Sequence, residues 1–239
     1  MRRNEKRAGR AAMKRFDILD AWRTLAIVLM AAYHFLYDLY IFGILSASQM
    51  FSAPLNILER FICCSFILLA GASARFSRNN LRHGLIVLAA GAIVEAGAAI
   101  GGQTIRWGVL MLLGSSMVLW HFLGGCLQKW KPLHLTAACM GLFIFTGWWT
   151  EVTTASVGWL YPLGLMAPGF HSADYFPLLP WFFLFLIGTV IGGWCLEHRN
   201  NRLLTASLPA ALTWPGRHSL IIYVLHQPVL YGISYLIWG

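Results

Sequence analysis

Four ionisable side chains lie in an otherwise apolar stretch near the start of the chain, DAWRTLAIVLMAAYHFLYD. They are Asp20, Arg23, His34 and Asp38. At about 100° of rotation per helical residue, all four fall on one stripe of a helix. Ionisable groups in a membrane helix are costly unless they face protein or water. The stripe therefore predicts an inward-facing functional site, although a polar seam that only joins helices would give the same pattern.

His34 and Asp38 are the candidates for catalysis. Asp38 follows His34 by one helical turn, where its carboxylate would accept a hydrogen bond from the imidazole. Such a bond fixes the tautomer of the ring and leaves the other ring nitrogen free to act as a base. The alternative is a buried His–Asp hydrogen bond that only holds helices together. Asp20 and Arg23, three residues apart, are predicted to pair near the inner face of the membrane.

The last apolar segment carries a second set of polar residues, in GRHSLIIYVLHQPVL. Tyr223 and His226 share one face of the predicted helix. Gln227 and Pro228 follow, and the proline is predicted to interrupt the helix and free backbone carbonyls. The functional interpretation places His226 and Gln227 in the same cavity as His34. The structural alternative is a kink with a polar lining.

Two further features carry polar groups. Glu95 lies in the third apolar run, where it is either a catalytic carboxylate or a neutral group that is hydrogen-bonded to a neighbouring helix. The connection before the sixth apolar run ends in APGFHSADYFPLLPW. Its His171, Ser172 and Asp174 would meet an acceptor molecule there, unless the segment is an ordinary surface loop.

The composition predicts how these residues are held. Of 239 residues, 58% are hydrophobic and 11% are charged, and the mean hydropathy is +0.64. Soluble domains are about half apolar and about a quarter charged. A soluble globular protein is therefore excluded, and the long apolar runs favour helices over a β-barrel. The predicted fold class is all-α, a polytopic membrane bundle of about seven transmembrane helices.

The net charge of +9 does not indicate a nucleic-acid partner, because the basic residues are grouped between apolar runs. All but three of the 18 Lys and Arg residues lie in the N-terminal tail and in alternate connections. This distribution predicts a cytoplasmic N-terminus and an outer C-terminus. None of the five cysteines forms a C-x-x-C pair, so neither a disulfide framework nor a metal site is inferred.

The chain divides into a basic cytoplasmic tail, residues 1–17, and one membrane domain, residues 18–239. The tail and first run are interpreted as a retained signal anchor, because the run is too long for a cleaved signal peptide. The predicted helices cover residues 20–44, 55–74, 83–100, 107–127, 133–149, 177–196 and 219–238.

Five blocks distributed over nearly the whole chain after residue 15 carry a family resemblance. They are RFDILDAWRTLAIVLMAAYHFLYDLYIFG, GASARFSRNN, IRWGVLMLLGSSMVL, APGFHSADYFPLLPW and GRHSLIIYVLHQPVL. Together they resemble small bacterial members of the heparan-α-glucosaminide N-acetyltransferase-like family, within the transmembrane acyltransferase superfamily. The spacing from Arg23 to His34 is also similar to the arginine–histidine signature of integral-membrane O-acyltransferases.

The resemblance implies an acyl-CoA-dependent transmembrane acetyltransferase that transfers acetyl from cytoplasmic acetyl-CoA to an acceptor on the far side. His34 matches the family's membrane-embedded histidine, which acts as a base or as the acetyl carrier. Asp38 is assigned to catalysis with it. One departure is Met111, which stands where relatives often carry a histidine. The residues assigned to cofactor binding are Arg23, Asn79, Arg82, Arg217, His226 and Gln227.

The expected partners are acetyl-CoA, a carbohydrate or glycolipid acceptor and membrane lipids, with self-association into a homo-oligomer left open. The expected location is the cell (plasma) membrane. Two other classes explain the same polar stripe. One is a small transporter or a proton- or anion-conducting protein. The other is a non-catalytic membrane component that packs against a partner.

Overall fold

The computed structural model describes residues 16–239, which form seven long helices and no β-strand. All seven are long and apolar enough to cross a membrane, so the predicted all-α, multi-pass fold is confirmed. Residues 1–15, most of the predicted tail, lie outside the described residues, and the sidedness of the termini stays a prediction. The helices are α1 (Asp17–Ile41), α2 (Ala53–Phe76), α3 (Asn80–Ile100), α4 (Val109–Leu127), α5 (Pro132–Val152), α6 (Leu178–Glu197) and α7 (Ser219–Trp238).

The centre of the bundle is the contact between α2 and α6. A Cβ atom at Gly71 would collide with the carbonyl oxygen of Phe185, and one at Gly188 would collide with that of Leu68. Glycine at these two positions lets the helix backbones touch, which is a common way for helices to associate in lipid. Around this pair, α3 packs on α4 and α5 packs on α6. The bundle thereby gains a rigid wall against which α1 and α7 are arranged.

A short helix, Ala210–Arg217, connects α6 to α7 and was not predicted from the sequence. It packs along the beginning of α1, and the backbone N–H of Gly216 donates a hydrogen bond of 2.9 Å to the Thr24 hydroxyl. A Cβ at position 216 would collide with the carbonyl oxygen of Asp20. The Pro-Gly pair in this segment predicts a turn, and the contact with α1 overrides that local signal.

Helix α7 packs mainly on α1 and continues from Ser219 to Trp238 without a break at Pro228. The predicted interruption after His226 is therefore wrong. A proline removes one backbone donor, and in membrane helices such a loss is tolerated where neighbouring groups satisfy the freed carbonyl. The uninterrupted helix fixes the heights of His226 and Gln227 relative to α1.

Candidate active site

The two ends of the bundle differ in charge, and a cavity of about 850 Å³ opens at one of them. This end, named the basic mouth, holds Arg78, Arg82, Arg199 and Arg217. Its arginines come from the C-terminal end of α2, the first turn of α3 and the segments that precede α7. Four of the six residues predicted to bind the cofactor line the cavity; they are Arg23, Asn79, Arg82 and Arg217.

Beyond the basic mouth, the cavity is apolar and extends towards the other end of the bundle. Phe66 and Val87 line its middle, and Leu113 and Val109 lie on its α4 wall. Val109 is the first residue of α4, at the end of the bundle opposite the basic mouth. The cavity therefore passes through most of the thickness of the bundle. Its charged groups lie at the entrance, and aliphatic and aromatic side chains line its depth.

Two arginines at the basic mouth are already paired with carboxylates. Arg217 donates from Nη2 to Asp17 Oδ1 at 2.8 Å and from Nε to Asp20 Oδ2 at 3.2 Å. Arg23 donates to Asp20 Oδ1 at 3.0 Å and to the Ser73 hydroxyl at 2.6 Å. The predicted Asp20–Arg23 pair is thus confirmed. These two guanidinium groups join α1, α2 and the connecting helix, so they primarily shape the entrance.

Three other arginines leave their charge available to a ligand. Arg78, Arg82 and Arg199 line the basic mouth and form no ion pair with any residue in the described part of the chain. Arg199 lies over the ring of Phe16, 5.9 Å from its centroid. Arg78 and Arg199 are not among the residues predicted to bind the cofactor, although both lie in the basic connections between apolar runs. Unpaired guanidinium groups clustered in this way suit a phosphate-bearing ligand.

Asn79 has a structural task at the same entrance. Its side-chain oxygen accepts the backbone N–H of Arg82 at 2.9 Å and so caps the N-terminus of α3. The cap orients the first turn of α3, where Arg82 points into the cavity lining. Asn79 therefore lines the cavity as predicted, but its amide oxygen is already engaged.

Deeper in the bundle, His34 of α1 faces His226 of α7, with ring centroids 4.8 Å apart and ring planes inclined by 65°. His226 Nδ1 lies 2.6 Å from the carbonyl oxygen of Tyr223. Tyr223 lines the cavity, and its ring centroid is 5.4 Å from that of His226. The structure thus brings His34 and His226 together, but not in a shared cavity as predicted, because neither imidazole is part of the cavity lining. The cavity lining ends at Tyr223 and does not include His34, so the two imidazoles lie one side chain beyond it.

Asp38 does not bond to His34, and the predicted hydrogen bond between them is wrong. The Asp38 carboxylate is fully buried, and its Oδ1 accepts the side-chain N–H of Gln227 at 2.8 Å. The reason is that α7 places the Gln227 amide at the same height, facing α1. His226 and Gln227 therefore lie beside His34 and Asp38, and they are not part of the lining around the basic mouth. Their predicted contact with the cofactor is not seen there.

Two carboxylates that do not line the cavity lie at the N-terminus of α4, where Val109 marks the far end of the lining. Glu95 Oε1 accepts the N–H of Gly108, and Asp174 Oδ2 accepts the N–H of Val109, both at 3.2 Å. Together they cap the N-terminus of α4, which favours the structural interpretation of Glu95. Asp174 keeps some surface exposure but is surrounded by protein atoms, and this burial raises the pKa of its carboxyl to about 6, with Glu59 and Glu95 adding to the effect.

The departure at Met111 does not alter the cavity. Its side chain lies against Gly91 of α3, where a Cβ atom would be 2.9 Å from the methionine sulfur. Its neighbours Leu110 and Leu113 line the cavity, whereas Met111 does not.

A family model described as "Heparan-alpha-glucosaminide N-acetyltransferase, catalytic" matches residues 15–228. No curated protein sequence and no solved structure is significantly similar to the chain.

Proposed function

The chain belongs to the heparan-alpha-glucosaminide N-acetyltransferase catalytic family, and we propose that it transfers acetyl groups across the membrane. The donor is acetyl-CoA, bound with its phosphates at the basic mouth. The acceptor is a sugar or another envelope molecule that approaches from the opposite end. The single observation that supports this proposal is the continuous cavity of about 850 Å³, which joins the arginine-lined entrance to the capped N-terminus of α4.

The lining of the cavity suits the two parts of the donor. The phosphates of coenzyme A are anionic and would pair with Arg78, Arg82 and Arg199, whose guanidinium groups have no carboxylate partner in the described chain. The pantetheine arm is uncharged and would lie along the apolar depth. This orientation carries the thioester towards Tyr223, which contacts His226, one of the two imidazoles. A molecule with its charge only at one end therefore matches a cavity with its charge only at one end.

The chemistry assigned to His34 follows from what acetyl transfer requires. The attacking hydroxyl or amine must lose a proton, and the carbonyl oxygen that becomes negative must be stabilised. An imidazole suits the first task near neutral pH, either as a base or as the group that carries the acetyl. Asp38 supports His34 indirectly, because its bond to Gln227 holds α7 in place beside α1.

The predicted sidedness agrees with this path. If basic connections face the cytoplasm, the basic mouth opens where acetyl-CoA is made, and the α4 N-terminus faces outward. The proposed location is the cell membrane.

Turnover measured with purified full-length protein in lipid nanodiscs tests the proposal. We expect release of coenzyme A from acetyl-CoA, or acetylation of added glucosamine, at a rate that falls at least about 100-fold in His34→Ala. His121 is an exposed histidine of α4, so His121→Ala provides the matched control and should retain activity. Wild-type protein that binds acetyl-CoA without turnover, but conducts protons or anions in liposomes, would contradict the proposal in favour of a transport function.

A further inference from the structure

We infer that His226 is a positioning residue for His34. Its Nε2 atom accepts a hydrogen bond from a ring N–H of His34 when acetyl-CoA and the acceptor molecule are bound. The inference rests on the proposed function, because it assigns a role within acetyl transfer. Its evidence is the geometry of the seam between α1 and α7. It replaces the expectation that His226 contacts the cofactor.

The first step is the tautomer of His226. Its Nδ1 lies 2.6 Å from the carbonyl oxygen of Tyr223. A carbonyl oxygen only accepts hydrogen bonds, so Nδ1 carries the proton. In a neutral imidazole the other nitrogen then has a free lone pair. The Tyr223 carbonyl thus makes Nε2 of His226 an acceptor.

The second step is that Nε2 of His226 receives no hydrogen bond from any residue in the described part of the chain. Nε2 of His226 is buried and has no hydrogen-bond partner among residues 16–239. A buried polar atom without a partner is rare in native proteins and needs a reason. The His34 ring lies beside it, with centroids 4.8 Å apart, and neither nitrogen of His34 has a hydrogen-bond partner within the described residues. A ring N–H of His34 can supply the donor that Nε2 of His226 lacks, and Nε2 can supply the acceptor that this N–H lacks.

The third step excludes the other neighbours of the pair. The Asp38 carboxylate accepts the Gln227 amide and is not bonded to either imidazole. Tyr33, whose ring lies 6.1 Å from that of His34, donates its hydroxyl proton to Glu59 at 3.2 Å. Asp38 Oδ2 and Gln227 Oε1 are also buried and without a partner among the described residues. Of these vacant acceptors, Nε2 of His226 is the one whose own ring faces the ring of His34. Hydrogen bonds between catalytic groups are often long before substrates bind and tighten in the complex.

In the reaction this contact holds one nitrogen of His34 protonated and directs the lone pair of the other nitrogen at the reacting centre. When the acceptor attacks the acetyl carbon, the new C–N or C–O bond forms and the C–S bond of the thioester breaks. The proton leaves the acceptor for the free nitrogen of His34 and ends on the sulfur of coenzyme A. His226 stabilises the positive charge that His34 carries between these two transfers, and no further reactant is required.

Two substitutions separate this role from a structural one. His226→Gln places an amide oxygen near the position of Nε2, whereas His226→Asn keeps a group near Nδ1 and removes the acceptor. We expect His226→Asn to lower kcat by about 100-fold with the KM for acetyl-CoA within about twofold, and His226→Gln to recover to within about tenfold of the wild type. His121→Asn and His121→Gln, on an exposed position of α4, are the matched controls.

Equal losses in the Asn and Gln variants, or a loss confined to the KM for acetyl-CoA, would overturn the inference. A second measurement keeps it testable if the wild type shows no acetyl transfer. In ¹⁵N-histidine-labelled protein, we expect the His226 signals of the Nδ1–H tautomer, with Nε2 shifting in His34→Phe. An Nε2–H tautomer would refute the role of His226 irrespective of activity, whereas an inactive wild type with the expected signals would refute only the proposed function.

Discussion

The side-chain amide of Gln227 on α7 donates a hydrogen bond of 2.8 Å to the fully buried carboxylate of Asp38 on α1. This bond is a direct polar link between α1 and α7, and it lies one turn beyond the imidazole pair. Because α7 packs mainly on α1, the bond helps set the height of His226 relative to His34. It therefore has consequences for stability that are separate from those for catalysis.

Replacing Gln227 with Leu should destabilise the protein by roughly 2 kcal/mol, because the buried Asp38 carboxylate would lose its donor. The measurement is thermal unfolding of the purified protein in detergent. The double variant Asp38→Leu/Gln227→Leu should recover much of the loss, since both polar partners are then replaced by apolar groups. Gln128→Leu, at an exposed position, serves as control. Equal unfolding temperatures for Gln227→Leu and this control would show that the bond contributes nothing.

Replacing Arg82 with Gln should raise the Kd for acetyl-CoA by about tenfold, equivalent to about 1.4 kcal/mol. The physical reason is the loss of one charge-assisted contact to a phosphate at the basic mouth. Titration calorimetry or a radioligand assay in nanodiscs would measure it, and the difference should shrink at high salt. Arg106→Gln removes an exposed arginine beside the N-terminus of α4 and should leave Kd unchanged. A similar effect from both substitutions would place the donor elsewhere.

The stability of the protein should fall as pH rises from about 4 to about 6, because of Asp174. Burial raises the pKa of this carboxyl from 3.8 to about 6 in the folded chain, so between these values the folded state binds more protons than the unfolded state. The free energy of unfolding is then highest near pH 4, declines up to about pH 6 and is flat beyond it, with a total change of at most about 3 kcal/mol.

Unfolding temperatures from pH 4.5 to 7.5 would test this, with the wild type compared with Asp174→Asn. The asparagine variant should lack the decline, because its amide does not ionise in this range. Glu151→Gln removes an exposed carboxylate and should keep the wild-type profile. If Asp174→Asn and the wild type share one profile, the pH dependence comes from other groups.

Much of the fold follows from the sequence because it depends on local properties. Apolar runs set the helix ends to within three residues of those observed. The Asp20–Arg23 pair joins positions three residues apart and so follows from helix geometry alone. The contacts that define the site join distant segments: Asp38 and Gln227 are 189 residues apart, and Arg217 and Asp17 are 200. The polar residues of α7 indicated the face that meets α1, but spacing within one helix paired Asp38 with His34, whereas the packed structure pairs Asp38 with Gln227.

The charged side chains that line the cavity are gathered at the basic mouth, and its depth towards the N-terminus of α4 is lined mainly by apolar side chains. A polyanion is attracted to the arginines of the basic mouth and finds no positive charge along the apolar depth. On the proposed function, the donor would consequently insert with its neutral arm leading. The direction proposed for acetyl transfer would then follow from the fixed placement of the charges in the bundle.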